Sequence, residues 1–361
     1  MRISKQQFLI YSAIAIPFSL FQSQISLAQI YEAIDSTKPQ HTFLNRDDFF
    51  GAETYRENWD SISLRDSKLE AQEPLEGLKE DTDGFTRELI SVQWRPSDPI
   101  HLFVIRPSKV QKPPVILYLY SYPSETDRYL NDDFCRLLVK NGFAAVGFSS
   151  ALTGQRYHDR PMQKWFVSEL QESLGTSVHD VQMIINYLDK RSDFNMSQIG
   201  MFGDGSGATI AILSAAADSR IKAVDLLNPW GDWPTWLAQS TLIPENERPD
   251  YLTPEFLQTV DGLDPVKWLP KLKSRSVRLQ FVGDVSVTPK ASKNRLALAA
   301  PANATIVRYK DRTAFTRQAG MGGKVFDWLK QKLGPAVSNQ QISAKVCGRS
   351  GPSSQTKKTE R

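Results

Sequence analysis

Histidine is scarce in this sequence, and none occurs beyond residue 179: the four are His41, His101, His158 and His179. With so few imidazoles, no H-x-H or H-E-x-x-H pattern is present, which excludes the common histidine metal sites. Cysteine is equally sparse, with only Cys135 and Cys347. Two thiols exclude a disulfide scaffold and a paired-thiolate metal site. Cys135 lies on an apolar helical face with Phe134, Leu137 and Leu138 and reads as a buried thiol. A bridge to Cys347, in the polar tail, is the alternative. No metal or cofactor is expected. An excess of charge is also missing: 44 Lys and Arg stand against 40 Asp and Glu, a net of +4. From Ala336 onward, Lys345, Arg349, Lys357, Lys358 and Arg361 face only Glu360, so the excess belongs to the tail. No nucleic-acid partner follows from it. Beyond the first residues no long hydrophobic run occurs, and no membrane span is expected in the mature chain.

What is present begins with a leader. Arg2 and Lys5 precede the apolar stretch Phe8–Phe21, which Pro17 interrupts. Ser26-Leu27-Ala28 fits the small-x-small rule for cleavage, with Gln29 as the mature start. Residues 1–28 are therefore read as a signal peptide and the protein as exported, periplasmic or extracellular; an uncleaved anchor is the alternative. Residues 29–84 read as an irregular N-terminal segment, its acid-rich end from Glu70 to Gly84 lying on the surface.

From residue 85 the pattern becomes regular. Thr86–Trp94 and Ile100–Ile105 read as an antiparallel pair. Val115–Tyr120 is an unbroken apolar run, as in a central strand covered on both faces. A helix follows over Asp132–Asn141, a strand over Phe143–Phe148, and a helix face marked by Val178, Val181, Ile184, Ile185 and Leu188. Further strands are expected at Ile221–Leu227, Val277–Val282 and Ala304–Tyr309. An amphipathic helix with Val325, Trp328, Leu329 and Leu333 closes the pattern before Gly334-Pro335. The alternation predicts an α/β domain over 85–334, with a mostly parallel sheet and helices on both faces. Residues 228–272, rich in tryptophan and proline, break the rhythm and read as a small cap. Residues 335–361 are expected to be disordered.

Within this pattern, Gln198–Phe202 is a strand, Gly203-Asp204-Gly205-Ser206-Gly207 a tight turn, and Ala208–Ala217 an apolar helix. Strand, sharp turn and buried helix form the context of the G-x-S-x-G nucleophile elbow. The stretch from Val115 to Leu333 resembles the α/β-hydrolase superfamily, most of all its dienelactone-hydrolase, acetyl-xylan-esterase and prolyl-oligopeptidase-like branches. The resemblance implies an α/β-hydrolase fold and a triad in the order nucleophile, acid, histidine. The nucleophile position holds Gly205. The acid loop reads Gly283–Pro289, with Asp284 available and Ser286 where a second acid is common in the family. The segment Lys310–Gly320, where the histidine should follow the last strand, has none. Tyr120-Ser121-Tyr122-Pro123 stands where active relatives often carry His-Gly for the oxyanion hole.

Three readings stay open. The first is a catalytically degenerate hydrolase that keeps its pocket for a small-molecule ligand of unknown identity, as a binding or scaffold protein. The second is an active esterase or peptidase with a relocated triad built on Ser206, His158 and Asp159 or Asp284. Against it, Ser206 reads as a cap of the following helix and His158 as a surface-loop residue. The third is a nucleotide-binding protein through Gly203-x-Gly205-x-x-Ala208, with Asp225 as the ribose-binding acid. The pocket candidates are Tyr120, Ser121, Tyr157, Trp230 and Trp233.

Overall fold

The computed structural model describes residues 62, 71–95, 98–123, 126–152, 156 and 166–334. The leader, most of the segment before residue 71, Tyr157, His158, Cys347 and the tail from 335 lie outside them. The strands are β1 (Leu75–Thr82), β2 (Phe85–Val92), β3 (Ile100–Pro107), β4 (Pro114–Leu119), β5 (Ala144–Gly147), β6 (Asn195–Asp204), β7 (Ile221–Leu227), β8 (Ser276–Val282) and β9 (Thr305–Tyr309). They form one sheet in the order β1-β2-β3-β5-β4-β6-β7-β8-β9. The first three strands and the β3–β5 step are antiparallel. From β5 through β4 to β9 all pairs are parallel.

The main helices are α1 (Asp132–Val139), α2 (Leu170–Asp189), α3 (Ser206–Ala217), α4 (Trp233–Gln239), α5 (Pro254–Asp261), α6 (Lys290–Ala299) and α7 (Asp327–Leu333). Asn131 starts α1 by accepting a hydrogen bond from Phe134 N–H at 2.9 Å, the usual role of an N-cap asparagine. In β4 the side chains alternate between two cores. Val115, Leu117 and Leu119 join the core beneath α2, α3 and the cap. Ile116 and Tyr118 join the core beneath α1 and α7. A central strand buried on both faces needs an apolar residue at every position, which is why this run shows no polar alternation.

Two elements depart from the sequence reading. The segment 29–84, read as irregular throughout, contains the edge strand β1. Its residues are mostly exposed and it pairs with β2 alone, so it carries charge where an inner strand would carry valine. Helix α6 was not anticipated, because Lys290–Ala299 mixes Lys, Ser, Asn and Arg with Ala and Leu in no clear stripe.

A buried ionic cluster fastens the N-terminal strands to the parallel half. Arg156 grips Asp98 through two bonds, at 3.1 and 2.9 Å, and Asp180 at 2.7 Å. Arg95 reaches the same Asp180 at 2.6 Å and Trp94 Nε1 donates to it at 3.2 Å. The two guanidiniums hold the Asp180 carboxyl below its ordinary pKa although burial opposes this. The cluster ties the β2–β3 turn to α2 and to the segment after β5.

Candidate functional site

β6 ends at Asp204, and the chain reverses through Gly205 into α3. Gly205 has φ 55° and ψ −117°, a combination that residues with a side chain adopt only under strain. The flanking glycines answer a different need, close approach. A Cβ on Gly203 would lie 2.5 Å from the Ala208 backbone, and one on Gly207 would overlap the Leu119 carbonyl. The elbow therefore has the backbone of a nucleophile turn with no side chain at its apex.

The space above the apex is occupied. A Cβ built on Gly205 would overlap the Ser121 hydroxyl, lie 2.8 Å from Ser121 Cβ and 3.2 Å from Trp230 Nε1. Ser121 comes from the loop after β4 and Trp230 from the segment after β7, so neighbouring strands close over the central turn. Trp230 is held by stacking on Trp236, with centroids 5.0 Å apart, and Trp233 meets Trp236 edge to face at 5.7 Å.

The expected pocket residues have different surroundings. Trp230 and Trp233 are 2% and 1% exposed, so they fill the cap core rather than present ring faces to a ligand. Tyr120 is buried beneath Arg128, whose guanidinium lies 3.6 Å above the ring. Ser121 is half-buried over the apex. Tyr157 and His158 fall outside the described residues.

Ser206 was expected to cap α3, and it does not. Its side chain is fully buried, and its Oγ accepts from Tyr122 N–H at 2.9 Å. This bond crosses from the elbow to the loop after β4, the loop that supplies one donor of an oxyanion hole in active hydrolases. In this chain that N–H is directed to the Ser206 hydroxyl. Asp284 is exposed, and its Oδ1 accepts from Arg312 N–H at 3.0 Å. Arg312 lies just beyond β9, in the stretch where a triad histidine would follow the last strand. Of the described histidines, His101 is exposed at the start of β3. His179 is buried well inside α2, which begins at Leu170.

Four charged groups at this edge were given no role in the sequence reading. Asp204 is buried, and burial lifts its carboxyl pKa to about 6, although Arg128, the Gly205 N–H and Arg312 all favour the ionised form. Arg312, in the segment beyond β9, was visible in the sequence; the approach of Arg128 was not, because it depends on how the turn after β4 folds back. On α6, Lys293 is buried and donates to the carbonyls of Val282 and Val285 at 2.7 and 2.6 Å. It pins the acid loop, and desolvation lowers its pKa to about 8.

The nucleotide-binding reading fails at its acid. Asp225 is fully buried within the sheet, held by Arg278 at 2.8 and 2.5 Å and by Gln280 at 2.8 Å, out of reach of a ribose. Cys135 is a free, buried thiol that donates to the Tyr129 carbonyl at 3.1 Å, and burial raises its pKa to about 11. Among the described residues no cluster of three or more metal-ligating side chains occurs, and no helix is long and apolar enough to cross a membrane.

Strand order, elbow geometry and the position of the acid loop together match one architecture. The fold is that of the α/β-hydrolases. Solved structures agree. An acetyl xylan esterase from Paenibacillus sp. R4 aligns with a TM-score of 0.54 at 16% identity, covering 80% of this chain and 93% of its own. Acetyl xylan esterase 1 from Thermoanaerobacterium sp. JW/SL YS485 aligns at 0.53 and 14%, covering 77% and 86%. The acylaminoacyl peptidase of Pyrococcus horikoshii aligns at 0.52 and 15%, covering 78% of this chain and 45% of its own. No family model matches the sequence, and no curated protein does. Identities this low establish the α/β-hydrolase fold alone.

Proposed function

We propose that this chain is an exported, catalytically degenerate α/β-hydrolase-fold protein that binds a small molecule at the former active-site edge and does not cleave it. The observation that carries this reading is the filled apex: Gly205 offers no hydroxyl, and Ser121 and Trp230 occupy the volume a nucleophile would need. Two further facts support it. No histidine follows the elbow in the sequence, so the base that the order nucleophile, acid, histidine would supply is missing. The Tyr122 N–H, in the loop after β4, is engaged by Ser206, so it is not available to an oxyanion. Loss of one triad member alone costs several orders of magnitude in rate.

Fluorophosphonate labelling of the purified mature protein, with mass-spectrometric mapping, tests the reading. The expected result is no serine adduct on protein shown to be folded. An adduct on Ser206 or Ser121, with turnover of a small ester, would overturn it. Export rests on the leader, and N-terminal sequencing of protein recovered outside the cytoplasm should begin at Gln29.

A further inference from the structure

Outside the tail, the charges of this chain balance in number but not in place. Residues 263–334 carry fifteen Lys and Arg against four Asp and Glu, a net of +11. They include β8 and β9, at one end of the sheet. Residues 71–93 include β1 and β2, at the other end, and carry two Lys and Arg against six Asp and Glu, a net of −4. The imbalance reaches the outermost strands. Arg308 and Lys310 are exposed on β9 and just beyond it, and Glu76 and Asp81 are exposed on β1. The only lysine of β1, Lys79, lies 3.7 Å from Glu88 on β2.

Both edges also end the sheet. β1 pairs with β2 and β9 with β8, and among the described residues no strand lies beyond either. An edge of this kind offers its backbone N–H and C=O groups to another strand. Apolar side chains stand in water at both: Leu75 is 66% and Leu78 38% exposed on β1, and Ile306 is 43% exposed on β9. We propose that the partner is a second copy of this chain, with β1 of one molecule pairing with β9 of the next so that copies join head to tail.

Strand direction fits the join. Three antiparallel steps, β1–β2, β2–β3 and β3–β5, separate β1 from the parallel half, so β1 runs opposite to β9. A second copy in the same orientation therefore meets β9 with an antiparallel strand, and Arg308 and Lys310 come beside the acids of β1. Pairing like with like is poorer. Two β9 strands would bring basic edges together and two β1 strands acidic ones, and like charges on paired strands repel. Because the two joined surfaces differ, each end of a dimer still presents one of them, and copies add in series unless their rotation closes a ring. The five-residue length of β9 and the bulge in β1 between Glu76 and Lys79 keep the paired stretch short. The contact is accordingly weak and leans on charge. The assignment is independent of the elbow and of any ligand there.

The test is sedimentation velocity of the mature protein over a wide concentration range, at ~0.01 M and ~1 M salt, where the screening length is about 30 Å and 3 Å. At low salt the weight-average mass should climb past that of a dimer as concentration rises, and at high salt it should fall back toward the monomer. Arg308→Glu and Glu76→Lys, both at exposed positions, should each weaken association tenfold or more. Thermal melts confirm folding, and Lys310→Glu takes the place of Arg308→Glu should that variant prove unstable. An equimolar mixture of Arg308→Glu and Glu76→Lys should recover association, because the unaltered β1 of one meets the unaltered β9 of the other. A monomer at every concentration in low salt, a mass that levels off at the dimer, or wild-type association by Glu76→Lys would overturn the assignment.

Discussion

Restoring the missing side chain is the sharpest perturbation of this molecule. In Gly205→Ser, the backbone at φ 55° and ψ −117° must hold a residue with a Cβ, a strain of about 1–3 kcal/mol. The new Cβ must also displace Ser121, whose own Cβ lies 2.8 Å from the ideal position, and press on Trp230 Nε1 at 3.2 Å. Overpacking of this kind costs roughly 1–3 kcal/mol. Loss of glycine's freedom in the unfolded chain returns about 0.4–1 kcal/mol. The net is a destabilisation of about 1–5 kcal/mol, and at ~2–4 °C per kcal/mol for a domain of this size the Tm should fall by several degrees or more. The second half of a double-mutant cycle is Ser121→Gly, which opens the overlap but leaves the backbone strain. Coupling between the two substitutions should therefore recover about 1–3 kcal/mol, the packing part alone. Calorimetric melts of the four proteins read this directly, alongside hydrolysis of p-nitrophenyl acetate, which should stay at background because no base accompanies the new hydroxyl. A Gly205→Ser protein with the wild-type Tm would refute the filled apex, and strict additivity would refute Ser121 as the obstacle.

Other consequences are equally measurable. The Asp204 carboxyl, at about 6 in the fold, lies above its unfolded value near 3.9, so the folded state binds more protons between these values. Its contribution to stability is greatest below about pH 4 and declines as pH rises through about 6, amounting to ~3 kcal/mol at most by pH 7. Asp204→Asn should thus equal or exceed wild type in stability at pH 7, and a denaturant series in which its advantage does not shrink toward pH 4 would contradict this. Asp180→Ala leaves the guanidiniums of Arg95 and Arg156 without their shared carboxylate and should destabilise by about 3–5 kcal/mol; a change below ~1 kcal/mol in urea titration would show the cluster to be dispensable. Cys135, buried with its pKa raised to about 11, should resist a thiol reagent at neutral pH in the native protein and react on unfolding. Mapped modification of native Cys135 would argue against its burial.

The sequence revealed those parts of the fold that burial imposes on both sides of a strand. Val115–Tyr120 and Ile221–Leu227 could be read because a doubly covered strand tolerates few polar residues, and β7 coincides with the expected run. β1 could not be read, because an exposed edge strand imposes no such constraint and its acids resemble a surface loop. α6 was missed because its burial rests on Ser292, Lys293 and Leu296, and a buried lysine satisfied by two carbonyls has no signature in spacing. The empty apex was visible at Gly205, since backbone demand and residue type meet at one position. The closure over it was not visible. Ser121, Ser206 and Trp230 are brought together only by the order of β4, β6 and β7 in the sheet, and the Tyr122–Ser206 bond depends on which way one loop turns.

The glycine at the elbow also bounds what a single substitution can do. With no side chain at position 205, Ser121 takes up the space above the turn, and the turn itself carries no side-chain strain. A serine placed there meets a neighbour already in its place and an amide donor already engaged by Ser206, while the segment beyond β9 offers it no histidine. Each of these arrangements tolerates glycine at 205, and none of them serves a larger residue. On the reading proposed above, hydrolysis would need several coordinated substitutions, so the elbow is not a one-residue switch.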